Sequence, residues 1–212
     1  MLPIEIYSDL ICPWCFIGKR RLDRVLAASA VPVQITWRAF QLRPGLPDDG
    51  LDRRQYLAQR YGEAADPGRL PERLAGEAEV ENIAFAYERV ERVPNTLLGH
   101  RLLAAAESVA GTLQHELADA LFRAYFQQGL DVGDAQTLLS IAEAAGMDAQ
   151  LAQQALTQER WLTQVQAELA AAREHDVSGV PCLIFAGRFS LPGVQADDVM
   201  LHFIERAAER LA

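Results

Sequence analysis

Ile4-Glu5-Ile6-Tyr7-Ser8-Asp9-Leu10-Ile11-Cys12-Pro13-Trp14-Cys15 decides how the rest of the chain is read. Residues 3–8 alternate apolar and polar, the period of a half-buried strand. A helix over 13–29 follows, opened by Pro13, whose missing N–H costs nothing at a first helical position. Cys12 and Cys15 thus fall at a strand-to-helix junction, where a Cys-x-x-Cys reads as a dithiol/disulfide redox centre. The first turn of a helix has free N–H groups and the positive end of its dipole. A thiolate held there is stabilised, and a thiol pKa of about 8.5 can fall to roughly 3.5–7.5.

The two cysteines should differ. Cys12, at the cap and facing outward, is the expected attacking thiolate. Cys15 shares a helix face with Gly18, Leu22, Val25 and Leu26 and is expected to be shielded, waiting to resolve a mixed disulfide. Pro13 and Trp14 lie between them, with Trp14 offering apolar surface at the rim. The competing readings are a structural disulfide and half of a zinc site.

The chain has 212 residues, half of them apolar, enough for one large domain or a domain with an insertion. A net charge of −9 disfavours nucleic acid and anionic membrane as partners. Only three cysteines are present, Cys12, Cys15 and Cys182, so a disulfide scaffold is not expected. The four histidines are scattered and no second Cys-x-x-Cys completes a zinc set, so no metal is expected. No secretory signal and no membrane-length apolar run stands out, and a cytoplasmic location is expected.

Working outward, Val33–Trp37 reads as a second strand, completing a βαβ unit with a parallel crossover as the default. Pro44–Gly50 is a loop. From about Asp52 to His175 the chain is rich in Ala, Leu, Glu and Gln, with helices expected over 52–62, 71–81, 96–110, 113–128, 134–145, 148–156 and 158–174. Asn95, Asp134 and Asp148 read as helix caps. Strand character returns in Cys182–Phe185, with a hairpin partner at Phe189–Leu191 and a closing helix over 195–211.

This order of elements resembles the thioredoxin fold, in the α/β class, with a large all-helical insertion. More closely it resembles the DsbA-like oxidoreductases, in their cytoplasmic FrnE branch, which are related to hydroxychromene carboxylate isomerase and kappa-class glutathione transferase. The stretches that carry the resemblance are Ser8–Cys15, Trp37–Leu42, Asn95-Thr96 with His100–Leu102, Leu121–Phe126 and Ser178-Gly179-Val180-Pro181. It implies a thioredoxin-like domain of residues 1–48 plus 176–212 and a helical insertion domain of residues 49–175. It also implies that Pro181 is cis and beside Cys12, with the Val180 backbone an edge for an extended substrate.

Thiol–disulfide exchange is therefore the expected activity, on a disulfide- or thiol-bearing protein or small molecule. The alternatives are a glutathione-dependent isomerase or transferase on the same fold and a client-holding chaperone. No tightly bound cofactor is expected, glutathione stays open as a co-substrate, and monomer and homodimer stay open as assemblies. Asp9 has two readings, a proton acceptor for Cys15 or a turn residue. His100 has two, a residue lining a cleft toward Cys12 or an ordinary helix-face histidine. Cys182 has two, a buried small hydrophobe or a third redox thiol. Lys19, Arg20 and Arg21 are expected to complement the negative end of their helix.

Overall fold

The computed structural model describes residues 1–210. Strand β1 (Leu2–Ser8) pairs in parallel with β2 (Val33–Ala39) along its whole length. Between them runs α1 (Pro13–Ala28). On its other edge β1 pairs antiparallel with β5 (Cys182–Phe185), which turns back into β6 (Phe189–Pro192), giving a sheet of order β2-β1-β5-β6. This is a thioredoxin-like mixed sheet.

The topology positions the site. Because β1 and β5 are antiparallel, Tyr7 at the end of β1 sits opposite Cys182 at the start of β5. The loop that leaves β1 and the loop that enters β5 therefore meet at one end of the sheet, although 168 residues separate Cys12 from Val180. Gly18 makes the approach of α1 possible: a Cβ there would lie 3.1 Å from the Pro181 ring.

Between β2 and β5 come α2 (Arg53–Tyr61), α3 (Glu72–Val80) and the helical insertion α4 (Leu97–Glu107), α5 (Leu113–Phe126), α6 (Ala135–Ala144), α7 (Ala149–Thr157) and α8 (Glu159–Glu174). Helix α9 (Asp197–Glu209) closes the described chain. Each expected helix is present, one or two residues shorter at its ends in most cases; residue 211, the expected end of the last, lies outside the described residues. Asp134 and Asp148 cap α6 and α7 by accepting from the N–H groups of Thr137 and Leu151.

Helices α4, α5 and α8 pack on β2. Gln114 of α5 clasps the free edge of β2, accepting from the Trp37 N–H at 2.9 Å and donating to its carbonyl at 3.0 Å. Arg38 of β2 reaches Glu5, Glu107 and Glu168, tying β1, α4 and α8 together. The main buried cluster joins Ile4, Phe16 and Leu183 to Leu102, Leu117 and Phe122. No helix among the described residues is long and apolar enough to cross a membrane.

Two expectations need correction. The insertion expected to be all-helical holds a small antiparallel pair, β3 (Leu51–Asp52) with β4 (Arg92–Val93), and a 3₁₀ turn over Tyr87–Arg89. A ladder of two residues has no period to detect. The pair is held where Gly50, at φ +67°, lies against the Val93 carbonyl, too close for any side chain. The basic run in α1 does not serve the helix end, whose last turn holds no basic residue. It points sideways instead: Lys19 pairs with Asp23 and Asp119, Arg20 with Asp119, and Arg21 with Glu77 and Glu81.

Candidate active site

Cys12 is the N-cap residue of α1, in extended conformation at φ −91° and ψ 110°. Its N–H donates to the Asp9 carbonyl at 3.0 Å, which closes the turn out of β1, and its own carbonyl accepts from the Cys15 N–H at 3.0 Å. The Cys12 thiol faces the Val180 carbonyl at 3.5 Å, just before the cis Val180–Pro181 bond. Cys12, Cys15 and Cys182 are all free thiols.

Cys12 does not face outward as the cap position suggested. It is 3% exposed, because its sulfur points at the Val180 loop rather than at solvent. Cys15, one turn on, is 1% exposed. Burial pushes the Cys15 thiol well above its ordinary range, and contact with Cys12 adds to that, so Cys15 rests as a neutral thiol. The helix mouth is thus occupied by one sulfur that meets a loop and one that meets the core.

Trp14 is half-buried at the rim, with the guanidinium of Arg73 from α3 5.3 Å from its ring centre. Pro13 is half-buried and opens the helix. Val180 is half-buried, and Pro181 is buried against Gly18.

Asp9 and His100 come together in the interior. Asp9 is fully buried; its Oδ2 accepts from the Leu42 N–H at 2.7 Å. Its Oδ1 lies 3.7 Å from His100 Nε2 and has no hydrogen-bond partner. His100 Nε2 is 3.0 Å from the Phe40 carbonyl, and the ring is 2% exposed, so His100 opens on no solvent-filled cleft. Asn95 accepts from the Leu97 N–H and donates to the Leu46 carbonyl, joining the start of α4 to the loop after β2.

Cys182 lies on the other face of the sheet. Side chains alternate along β5. Leu183 joins the core that holds Cys12, whereas Cys182 packs with Tyr7, Ala172, Val177 and Ile184. Its thiol is pushed up by burial. This is the environment of a small apolar side chain, not of a partner for Cys12.

Residues that sequence reasoning missed complete the site. Tyr87, in the 3₁₀ turn, stands on an aromatic floor: its ring centre is 5.4 Å from that of Phe85 and 6.1 Å from that of Phe126, and both stand against Phe16, next to Cys15. Arg53 lies 4.5 Å above the Tyr87 ring. Apart from Phe85 with Tyr87, these contacts join residues tens of positions apart and leave no periodic trace. Among the described residues, no three His, Cys, Asp or Glu side chains gather as a metal site would need.

The model of the DSBA-like thioredoxin domain matches residues 3–205. The chain belongs to the DSBA-like thioredoxin domain family. This DSBA-like chain is 29% identical over 197 residues to the uncharacterized protein YwbO of Bacillus subtilis (strain 168), covering 92% of each. Among solved structures, it superposes on a probable DsbA oxidoreductase, SCO1869 of Streptomyces coelicolor, with TM-score 0.83 and 26% identity, over 99% of this chain and 91% of that one. It also superposes on a 2-hydroxychromene-2-carboxylate isomerase with TM-score 0.65 and 18% identity, over 99% and 95% of the two chains. That second likeness is one of fold.

Proposed function

We propose that this DSBA-like protein is a thiol–disulfide oxidoreductase in which Cys12 attacks and Cys15 resolves. The Cys12 thiolate attacks one sulfur of a substrate disulfide, the substrate S–S bond breaks, and the departing half carries the electron pair away as a thiolate. Cys15 then loses its proton and attacks the Cys12 sulfur. The Cys12–Cys15 disulfide closes and the second substrate half leaves reduced. Run backward, the same steps oxidise a substrate dithiol.

The observation that carries the reading is the placement of the two free thiols: Cys12 at the mouth of α1, 3.5 Å from the Val180 carbonyl, and Cys15 buried one turn along. A substrate in extended conformation takes the place of the Cys12 contact at Val180 and pairs with that backbone. Pro181 and Trp14 flank it. The buried Asp9, with one free carboxylate oxygen and His100 beside it among the described residues, is the proposed acceptor of the Cys15 proton. The stretches Trp37–Leu42, Leu121–Phe126 and Ser178–Pro181 support assignment within the family to the FrnE branch. A glutathione-dependent isomerase would leave Cys15 without a task, and a chaperone would leave both thiols without one.

Insulin reduction in the presence of dithiothreitol tests the proposal. The wild-type protein is expected to accelerate precipitation of the insulin B chain, and Cys12→Ser to remove the acceleration. Full activity of Cys12→Ser would overturn the assignment of the nucleophile.

A further inference from the structure

Trp14 and Tyr87 each carry an arginine, and neither arginine is paired with an acid among the described residues. Arg73 lies over Trp14, inside the Cys-x-x-Cys itself. Arg53 lies over Tyr87, whose phenol is pushed up by burial, with Arg53 opposing and the charge of Cys12 adding to the push. The Tyr87 ring reaches the dithiol helix through Phe85, which stands edge-on to Phe16, next to Cys15. In a chain of net charge −9, Arg20, Arg21, Arg24, Arg38, Arg92 and Arg123 end on carboxylates, whereas the buried Arg101 ends on the Ala155 and Gln158 carbonyls. Arg53 and Arg73 form no ion pair among the described residues. Arg53 spends one amino group on the Pro67 carbonyl, and its Nε–H is buried with no acceptor. Arg73 makes no hydrogen bond among the described residues. Of the acids next to these elements, Glu88 turns to Arg89, at 3.8 Å, and Glu72 forms no ion pair among the described residues.

We propose that Arg53 and Arg73 form a cationic rim on the dithiol that selects substrates carrying a carboxylate beside the reacting sulfur. This rests on the thiol–disulfide reading and adds the class of substrate to it. Both cations are held on aromatic faces, which fixes their position without neutralising them. An anionic substrate brings the missing partner for each. The thiolate that departs from the substrate disulfide is a second negative charge, formed in the same field. Attraction of this kind acts chiefly on the rate of encounter and is screened by salt.

Two small disulfides of opposite character give the test. Dithiobis-nitrobenzoate bears one carboxylate per ring; dithiodipyridine is neutral. With each, the Cys12 thiolate attacks one probe sulfur, an aryl thiolate leaves with the electron pair of the broken bond, and Cys15 displaces the second aryl thiolate as the protein disulfide closes. The reduced full-length protein is mixed with each probe in a stopped-flow instrument. The double variant Arg53→Gln, Arg73→Gln is expected to react about tenfold more slowly with the nitrobenzoate and within about twofold of wild type with the dipyridine. High salt should remove most of the wild-type preference in the same way.

Equal slowing with both probes would overturn the proposal, because the arginines would then act on Cys12 or on folding; so would no slowing with either. Should the double variant fail to fold, Arg73→Gln alone, on an exposed side chain, is expected to slow the anionic probe selectively by about threefold. Loss of the thiol–disulfide reading looks different. There, Cys12→Ser would react with the neutral probe as fast as wild type.

Discussion

A thiol in the interior holds its proton, and Cys15 is enclosed by the core on one side and Cys12 on the other. The proposed order of attack rests on that environment of Cys15 and on the place of Cys12 at the Val180 loop. The place of Cys12 also makes the contact between α1 and the Pro181 loop the most sensitive spacing in the site. Gly18→Ala places a methyl 3.1 Å from the Pro181 ring and 3.5 Å from Val194. Alanine favours a helix over glycine by about 1 kcal/mol, which offsets part of the crowding. Urea unfolding is expected to find the variant within about 1 kcal/mol of wild type, while insulin reduction falls severalfold because the Val180 carbonyl moves away from Cys12. Gly99 is a sharper case. A Cβ there would lie 2.3 Å from Leu10, whose side chain is 1% exposed and cannot yield, so Gly99→Ala should cost about 1–3 kcal/mol in a urea melt. At this scale the sequence told Cys12 from Cys15 by helical position alone. It misjudged the exposure of Cys12 because the Val180 loop that covers the sulfur is 168 residues away.

Helices α1, α3 and α9 are clamped by charge. Glu81, just past the end of α3, has a side chain only 2% exposed and accepts from both Arg21 and Arg24 at 2.7 Å. Arg21 also reaches Glu77 at 2.6 Å and the Gln195 carbonyl ahead of α9 at 3.1 Å. Breaking a buried pair by removing one partner is costly, since the other charge stays buried. Arg21→Ala should lower stability by about 3 kcal/mol, measured as a drop in the urea midpoint at an unchanged slope. None of this could be read beforehand, because the clamp joins residues that are 56 and 60 apart in the chain. The helices themselves were legible, and so were the caps Asp134 and Asp148, because propensity, spacing and capping are local. The pairing of β3 with β4 was not, being two residues long on each side.

Across the whole molecule, the insertion and the sheet are joined by contacts that respond to acid. Asp23 of α1 receives His115 of α5 at 2.7 Å, and His115 in turn accepts from the Trp37 indole at 3.1 Å. Burial alone pushes the Asp23 carboxyl up, but the hydrogen bonds from His115 and Lys19 outweigh it and leave the group below the usual range. A carboxyl lowered by folding contributes stability that is present above its unfolded pKa of about 3.9 and is lost as pH falls through the lower folded value. Asp23→Asn should therefore destabilise the protein at pH 7 in urea melts, and the gap from wild type should shrink at strongly acid pH. The fold as a whole was readable because its two informative loops, Ser8–Cys15 and Ser178–Pro181, border β1 and β5. The antiparallel pairing of those strands brings the loops together.

That meeting has one chemical consequence above all others: a substrate sulfur should bond to Cys12 and be released by Cys15. The direct measurement is peptide mapping by mass spectrometry after the Cys15→Ser protein is mixed with an oxidised substrate. A mixed disulfide accumulating on Cys12 is the expected result, and the corresponding Cys12→Ser sample should carry none. An adduct found instead on Cys182, or on Cys15 of the Cys12→Ser protein at a comparable rate, would contradict the account.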